Sequence, residues 1–290
     1  MPISGVIPDW LLASVAVATL FTVMFDLGLA IVPGEFRWVA HRPGLLLRGL
    51  FSVLVAVPAL AWLVARTFDL PRAAEVGIVL MAMAPGAPVA LRRSLGAGGH
   101  HSFAPALHIS IAVLAVVSMP LWIAAFDRYY GATATVDPLQ LARQVFIAQL
   151  LPLGIGMLVR HFRPAPAAWL DARLRKLGGL LLIALLALAL IDIWQEVVGA
   201  GIRVALAVAI VTLLALAVGH LLGGPEPATR TATAISSAAR NPGLAMLVAT
   251  LNAASPAVTR AVLAYLVVAA VTATPYVIWR QRARAPTAEP

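Results

Sequence analysis

"SSAARNPGLAML", residues 236–247, sets an arginine, an asparagine and a proline in succession inside an otherwise apolar stretch. Proline has no N–H to give the carbonyl four residues back, and it pushes the preceding residue out of the α region, so Pro242 interrupts a helix at Asn241. Such a break belongs in a bilayer only where other protein or a wet cavity covers the freed backbone. Composition places the chain in a bilayer: 61% of its 290 residues are hydrophobic and 11% are charged, with a mean hydropathy of +0.94. A soluble domain of that length has too little polar surface to cover such a content.

A crossing takes roughly 20 apolar residues at about 1.5 Å rise each. Nine stretches qualify: 9–32, 44–67, 71–96, 101–126, 138–162, 174–197, 202–223, 228–254 and 256–280. The expected fold is an all-α polytopic membrane protein of about nine transmembrane helices. The first run has no basic residue before it and is too long for a cleaved signal peptide. The absence of cysteine excludes disulfides, thiolate metal sites and thiol nucleophiles.

The net charge of +9 sits in short loops between the stretches, which makes it an orientation signal rather than a nucleic-acid footprint. Alternate loops, with the ends of the stretches beside them, hold fourteen and six basic residues, the richer set including Arg42, Arg92, Arg93, Arg163, Arg175 and Arg280, and Arg240 falls in neither set. The expected topology has the N-terminus outside and the C-terminus cytoplasmic, in a bacterial-type inner membrane.

A second interruption lies in "MAMAPGAPVALRRS" (81–94), where Pro85, Gly86 and Pro88 fall near mid-membrane. The three prolines of the two breaks deprive the carbonyls of Met81, Ala84 and Ala238 of their helical donors, and Ala87 and Asn241 mark the local unwinding. Interrupted spans at corresponding positions of two oppositely directed halves are the pattern of a transporter built from inverted repeats. The plainer alternative is a proline kink in each of two ordinary helices.

An ionisable group within the bilayer is a site candidate by default, and three stand out. Counting residues from the cytoplasmic ends puts Asp26 about 9 Å deep, His108 about 10 Å and Arg240 about 18 Å. Arg240, beside the broken backbone, either clamps an anionic substrate or plugs freed carbonyls such as that of Ala238. Asp26 and His108 share a depth and are expected to pair, with an Asp26–Arg240 ion pair as the alternative. Ser236 and Asn241 are further hydrogen-bonding candidates, and Pro85 and Gly86 complete the substrate-binding set. His100, His101, Arg92 and Arg93 read as a cytoplasmic loop at headgroups or water, and "RPAPAAW" (163–169) as a linker. Catalytic groups, metal-ligand spacing and phosphate loops do not emerge, so an enzyme is not expected.

Six segments carry a resemblance. These are "FTVMFDLGLAI" (21–31), "GLFSVLVAVPALAWLV" (49–64), "MAMAPGAPVAL" (81–91), "GAGGHHSFAPALHIS" (96–110), "QLLPLGIGML" (149–158) and "ARNPGLAM" (239–246). In this order and spacing the chain resembles the bile acid:sodium symporter family. The resemblance implies inverted repeats, two discontinuous crossing helices, and core and panel domains. It implies a first repeat over 1–130 with four spans and a break near 85–88, without the family's first span. A second repeat over 131–285 would have five spans and a break near 240–243, with 286–290 a disordered tail. It also implies transport of a small or amphipathic organic anion.

The family's sodium ligands are mostly replaced: Ala90 and Leu91 stand where it has hydroxyl and amide residues, Ala104 and His108 where it has a serine and a threonine, Ser236 for a glutamate and Arg240 for a glutamine. Sodium, which wants a cage of oxygens, is thus not expected as a coupling ion, and no cofactor is. The expected partners are an organic anion and the lipid bilayer. The rival functions are a proton-coupled or uncoupled exporter and a transport-inactive receptor.

Overall fold

The computed structural model describes residues 9–31, 35–86, 88–130, 137–199, 202–252 and 254–284. The described residues are helical apart from short turns and breaks. In chain order the helices are α1 (Asp9–Ala30), α2 (Glu35–Ala40), α3 (Pro43–Phe51), α4 (Val57–Thr67), α5 (Arg72–Met83), α6 (Pro88–Gly96) and α7 (Phe103–Tyr130). They continue with α8 (Pro138–Val145), α9 (Leu151–Phe162), α10 (Pro164–Gly199), α11 (Ile202–Leu222), α12 (Pro227–Ala238), α13 (Pro242–Leu251) and α14 (Pro256–Arg284). Half of them open on a proline, whose missing N–H is one a helix start leaves unused in any case. The expected tail 286–290 and Ala87 lie outside the described residues.

Among the described residues, five continuous segments are long and apolar enough to cross a bilayer: Pro43–Thr67, Phe103–Tyr129, Pro138–Phe162, Ile202–Leu222 and Pro256–Ala283. Ser14–Ala30 is a shorter apolar helix. The stretches 71–96 and 228–254 are not single helices, because each is divided at its prolines into α5/α6 and α12/α13. The segment 163–169 is not a linker: all but Arg163 form the opening of α10.

Two of the long segments contain a π-helical turn directly before a proline, at Ser52–Ala56 before Pro58 and at Phe146–Leu150 before Pro152. In the first, the Val57 N–H donates to Ser52 O rather than to Val53 O, its α-helical acceptor. Pro58 has no N–H for Leu54 O, which instead accepts from the Trp122 indole at 2.7 Å. Val53 O is thereby left for a donor from elsewhere.

Helices α1, α9 and α10 pack on one another. The α1–α9 approach is close because Gly28 and Gly156 face each other: a Cβ on Gly28 would lie 2.9 Å from Gly156 Cα and from Met157 N. Helices α4, α5, α11, α12 and α14 form a second set of neighbours, with α11 against α12 and α5 against α14.

At one end of the molecule, His100 Nδ1 accepts from Ser102 N and Phe103 N, both at 3.2 Å, and so caps α7. Its ring centroid lies 4.1 Å from that of Trp38, and the Arg42 guanidinium covers the Trp38 ring while bonding Glu226 at 2.7 Å. Burial lowers the His100 imidazole from its ordinary 6.5; Glu226 pulls the other way, and Arg42 and His101 add to the lowering. A group whose folded value is lowered contributes stability that is fully present above its ordinary value and lost as pH falls through the lowered one. The thermal unfolding midpoint should therefore fall as pH drops from about 7 to about 5. His100→Asn, which keeps a cap acceptor without titrating there, should show a smaller fall; equal falls would refute this role for the ring.

Candidate functional site

The two interruptions meet. The first spans Ala84–Gly86, with Gly86 at φ +79°, a conformation natural to glycine. The second spans Ala239–Asn241, with extended backbone at Ala239 and Asn241. Asn241 N donates to Ala84 O at 2.9 Å across the junction. Ala84 O is free because its helical donor would be Pro88, which has no N–H. Having turned to Ala84, Asn241 N no longer serves Ser237 O, its own acceptor in a continuous helix. The Asn241 side chain caps the next helix, accepting from Leu244 N at 3.1 Å.

Arg240 closes the exchange. It is 4% exposed. Its Nη1 donates to Val53 O at 3.1 Å and to Ala82 O at 2.9 Å, and its Nη2 to Ser237 O. Each acceptor has lost its helical partner for a local reason: the π turn at Val53, the end of α5 at Ala82, and the diverted Asn241 N–H at Ser237. The C-terminal ends of α5 and α12, the negative ends of their dipoles, both point at the guanidinium. The sequence led us to expect freed carbonyls at Met81, Ala84 and Ala238. Of these Met81 O closes a tight turn with Ala84 N at 3.2 Å, and the acceptors that reach Arg240 are different ones.

A cavity of about 490 Å³ borders this junction, within the size range of small-molecule sites. Thr19, Leu20 and Val23 of α1 and Leu182 and Leu185 of α10 line one side. Arg240, Asn241 and Gly243 line it from the second break, with Tyr265 of α14 and Arg93 of α6. Arg240 Nε and Asn241 Nδ2 are buried donors without a hydrogen-bond partner among the described residues. The terminal guanidinium nitrogens hold main-chain carbonyls through three of the five N–H donors, which leaves the Nε edge and the charge for a ligand.

The other expected site residues lie elsewhere. Asp26 pairs with neither His108 nor Arg240: it accepts from Arg92, which also bonds Asp171 at 2.8 Å. Arg92 is therefore not a headgroup contact but a bridge from α6 to α1 and α10, and Arg175 holds Asp171 from the next turn. Burial raises the Asp171 carboxyl, and the bonds from Arg92 and Arg175 outweigh it, holding the group below its ordinary value. His108 is buried, both its ring nitrogens lack a hydrogen-bond partner among the described residues, and it is not one of the lining residues. Pro85 and Gly86 are buried at the first break, where Gly86 faces Gln149 rather than the cavity. Ser236 is buried and does not line the cavity, while the next residue, Ser237, shares a 2.7 Å hydrogen bond with Ser52. Sequence inspection passed over Asp171. The signal was its i,i+4 spacing to Arg175 at the start of a helix that had been taken for a linker.

The converging oxygens of Val53, Ala82 and Ser237 already accept from a cation, and Ala90 and Leu91, at positions where the resemblance implies oxygen ligands, are buried and apolar.

Residues 17–198 match the sequence model of the Sodium Bile acid symporter family. Sodium/bile acid cotransporter 4 of Rattus norvegicus is 32% identical to the chain over 149 residues, covering 50% of this chain and 33% of that protein. An uncharacterized sodium-dependent transporter of Bacillus subtilis is 26% identical over 140 residues, covering 48% and 43%. The chain spans less than half the length of these curated relatives.

Proposed function

The chain belongs to the sodium bile acid symporter family, and from that membership we propose that it is a secondary transporter moving a small or amphipathic organic anion by alternating access. It is a multi-pass membrane protein of a transporter family, not an enzyme. The observation that carries the substrate class is the cavity: apolar walls surround the edge of a guanidinium whose charge is balanced by carbonyl dipoles rather than by a carboxylate. In a low-dielectric site such a charge favours an anion strongly over a cation. The apolar residues from α1, α10 and α14 suit a hydrocarbon body.

In this scheme α1, α9 and α10 form a panel and the helices around the two breaks form a core. The division between 1–130 and 131–285 is that of two inverted repeats. Support comes from the packing of the two helix sets and from the position of the cavity between them. Nine crossings, an external N-terminus and a cytoplasmic C-terminus in a bacterial-type inner membrane follow from the hydropathy and the arginine distribution. With Asp26 held by Arg92 and neither ring nitrogen of His108 hydrogen-bonded among the described residues, the expected Asp26–His108 pair does not support proton coupling, and uncoupled movement is the second reading.

The experiment is uptake into proteoliposomes of radiolabelled cholate at micromolar concentration, an amphipathic carboxylate probe. Saturable uptake, with an organic cation of similar size excluded, is the expected result. Absence of protein-dependent flux for cholate and for smaller carboxylates, or equal flux of the cation, would overturn the reading.

A further inference from the structure

We infer that Arg240 is a resident cation. Its guanidinium does permanently, at the meeting point of the two breaks, what a small dissociable cation would do there, and the protein needs no such ion to hold the junction together. Carbonyls from three separate elements converge on one point: Val53 from the π turn, Ala82 from the end of α5 and Ser237 from the end of α12. Converging carbonyls at two helix C-termini form a site of negative potential that calls for positive charge. In this chain the charge is covalently attached, two residues before the proline that makes the break. Planar, with five donors, a guanidinium can bond all three acceptors at once. Among the described residues no carboxylate neutralises it, since the buried carboxylate of Asp26 is taken by Arg92. The nearby hydroxyl of Ser237 is itself engaged, sharing a hydrogen bond with Ser52 Oγ.

The inference rests on the transporter reading only for its consequence in flux, namely that uptake is equal in sodium and choline media. Its direct test needs no flux. The thermal unfolding midpoint of the purified protein is measured in sodium chloride and in choline chloride at equal ionic strength. The wild type should have the same midpoint in both; a saturable rise with sodium would overturn the inference. Arg240→Ala should lower the midpoint by roughly 5–10 °C, and millimolar methylguanidinium should restore much of that loss while leaving the wild type unmoved. Equal effects of methylguanidinium on both proteins would also overturn it. Arg240→Lys, which keeps a charge on a flexible stem, provides a folded variant should alanine prevent folding: its midpoint should lie below the wild type and stay indifferent to sodium, and a rise with sodium would count against the inference. Failure of cholate flux with these outcomes intact would remove the transporter reading and leave the resident cation standing.

Discussion

Gly28→Val is expected to separate α1 from α9 and to abolish the properly assembled protein. At Gly28 a Cβ would lie 2.9 Å from Gly156 Cα and 2.9 Å from Met157 N, and it would overlap the Leu153 carbonyl. All three are backbone atoms, so no rotamer change relieves the overlap and the helices themselves have to move apart. Overpacking in a well-filled interior costs about 1–3 kcal/mol, and a clash against main chain belongs at or above the top of that range. The loss extends beyond the clash, because helices in a membrane associate through close packing of small residues rather than by exclusion of water. Gly154→Ala is the control. It lies on α9, the helix that Gly28 packs against, at a position where an added Cβ meets nothing within 4 Å, and its midpoint should stay near wild type. Thermal unfolding and size-exclusion profiles of the three proteins read the result; equal behaviour of the Gly28 and Gly154 variants would dismiss the contact as unimportant.

The second large effect is expected at Arg92. Replacement by methionine keeps the length of the side chain and removes the charge that Asp26, 2% exposed, depends on. Breaking a buried ion pair by taking away one partner costs roughly 3–5 kcal/mol, since the other charge stays behind uncompensated. Asp171 suffers less, because Arg175 remains beside it. The Arg92→Met/Asp26→Asn double variant should therefore recover most of the stability that Arg92→Met loses, giving a coupling of about 3 kcal/mol, the top of the range for neighbouring positions. Chemical or thermal unfolding of the wild type, both single variants and the double variant measures it. Additive losses would mean that Arg92 serves packing rather than the charge of Asp26.

The breaks were legible in the sequence because proline and glycine act locally: Pro85, Pro88 and Pro242 announce lost donors whatever surrounds them. The burial of Arg240 was legible from the length of the apolar run on either side. Its acceptors were not, because two of the three owe their freedom to events outside the motif. A π turn at 52–56 leaves the apolar pattern of its span unchanged, and the diversion of the Asn241 N–H to Ala84 is a contact between residues far apart in sequence. Asp26 and His108 show a different limit. Residue counting gives depth along a helix but neither its azimuth nor its neighbour, and two groups at one height can face different partners. Arg92 was misplaced for a third reason: the helix that carries Asp171 begins before its apolar run, in a proline-rich stretch that looks like a connection.

The bond from Asn241 N to Ala84 O splices two chain segments into one rigid joint. Pulling it open would strand a buried donor and a buried acceptor far from water, at a cost of several kcal/mol in so dry a setting. In the proposed transport scheme, a shape change that carries a solute through the molecule would spare this knot and slip along another seam. The ionic rivet of Asp26, Arg92 and Asp171 between α6 and its neighbours is where such slippage would be felt.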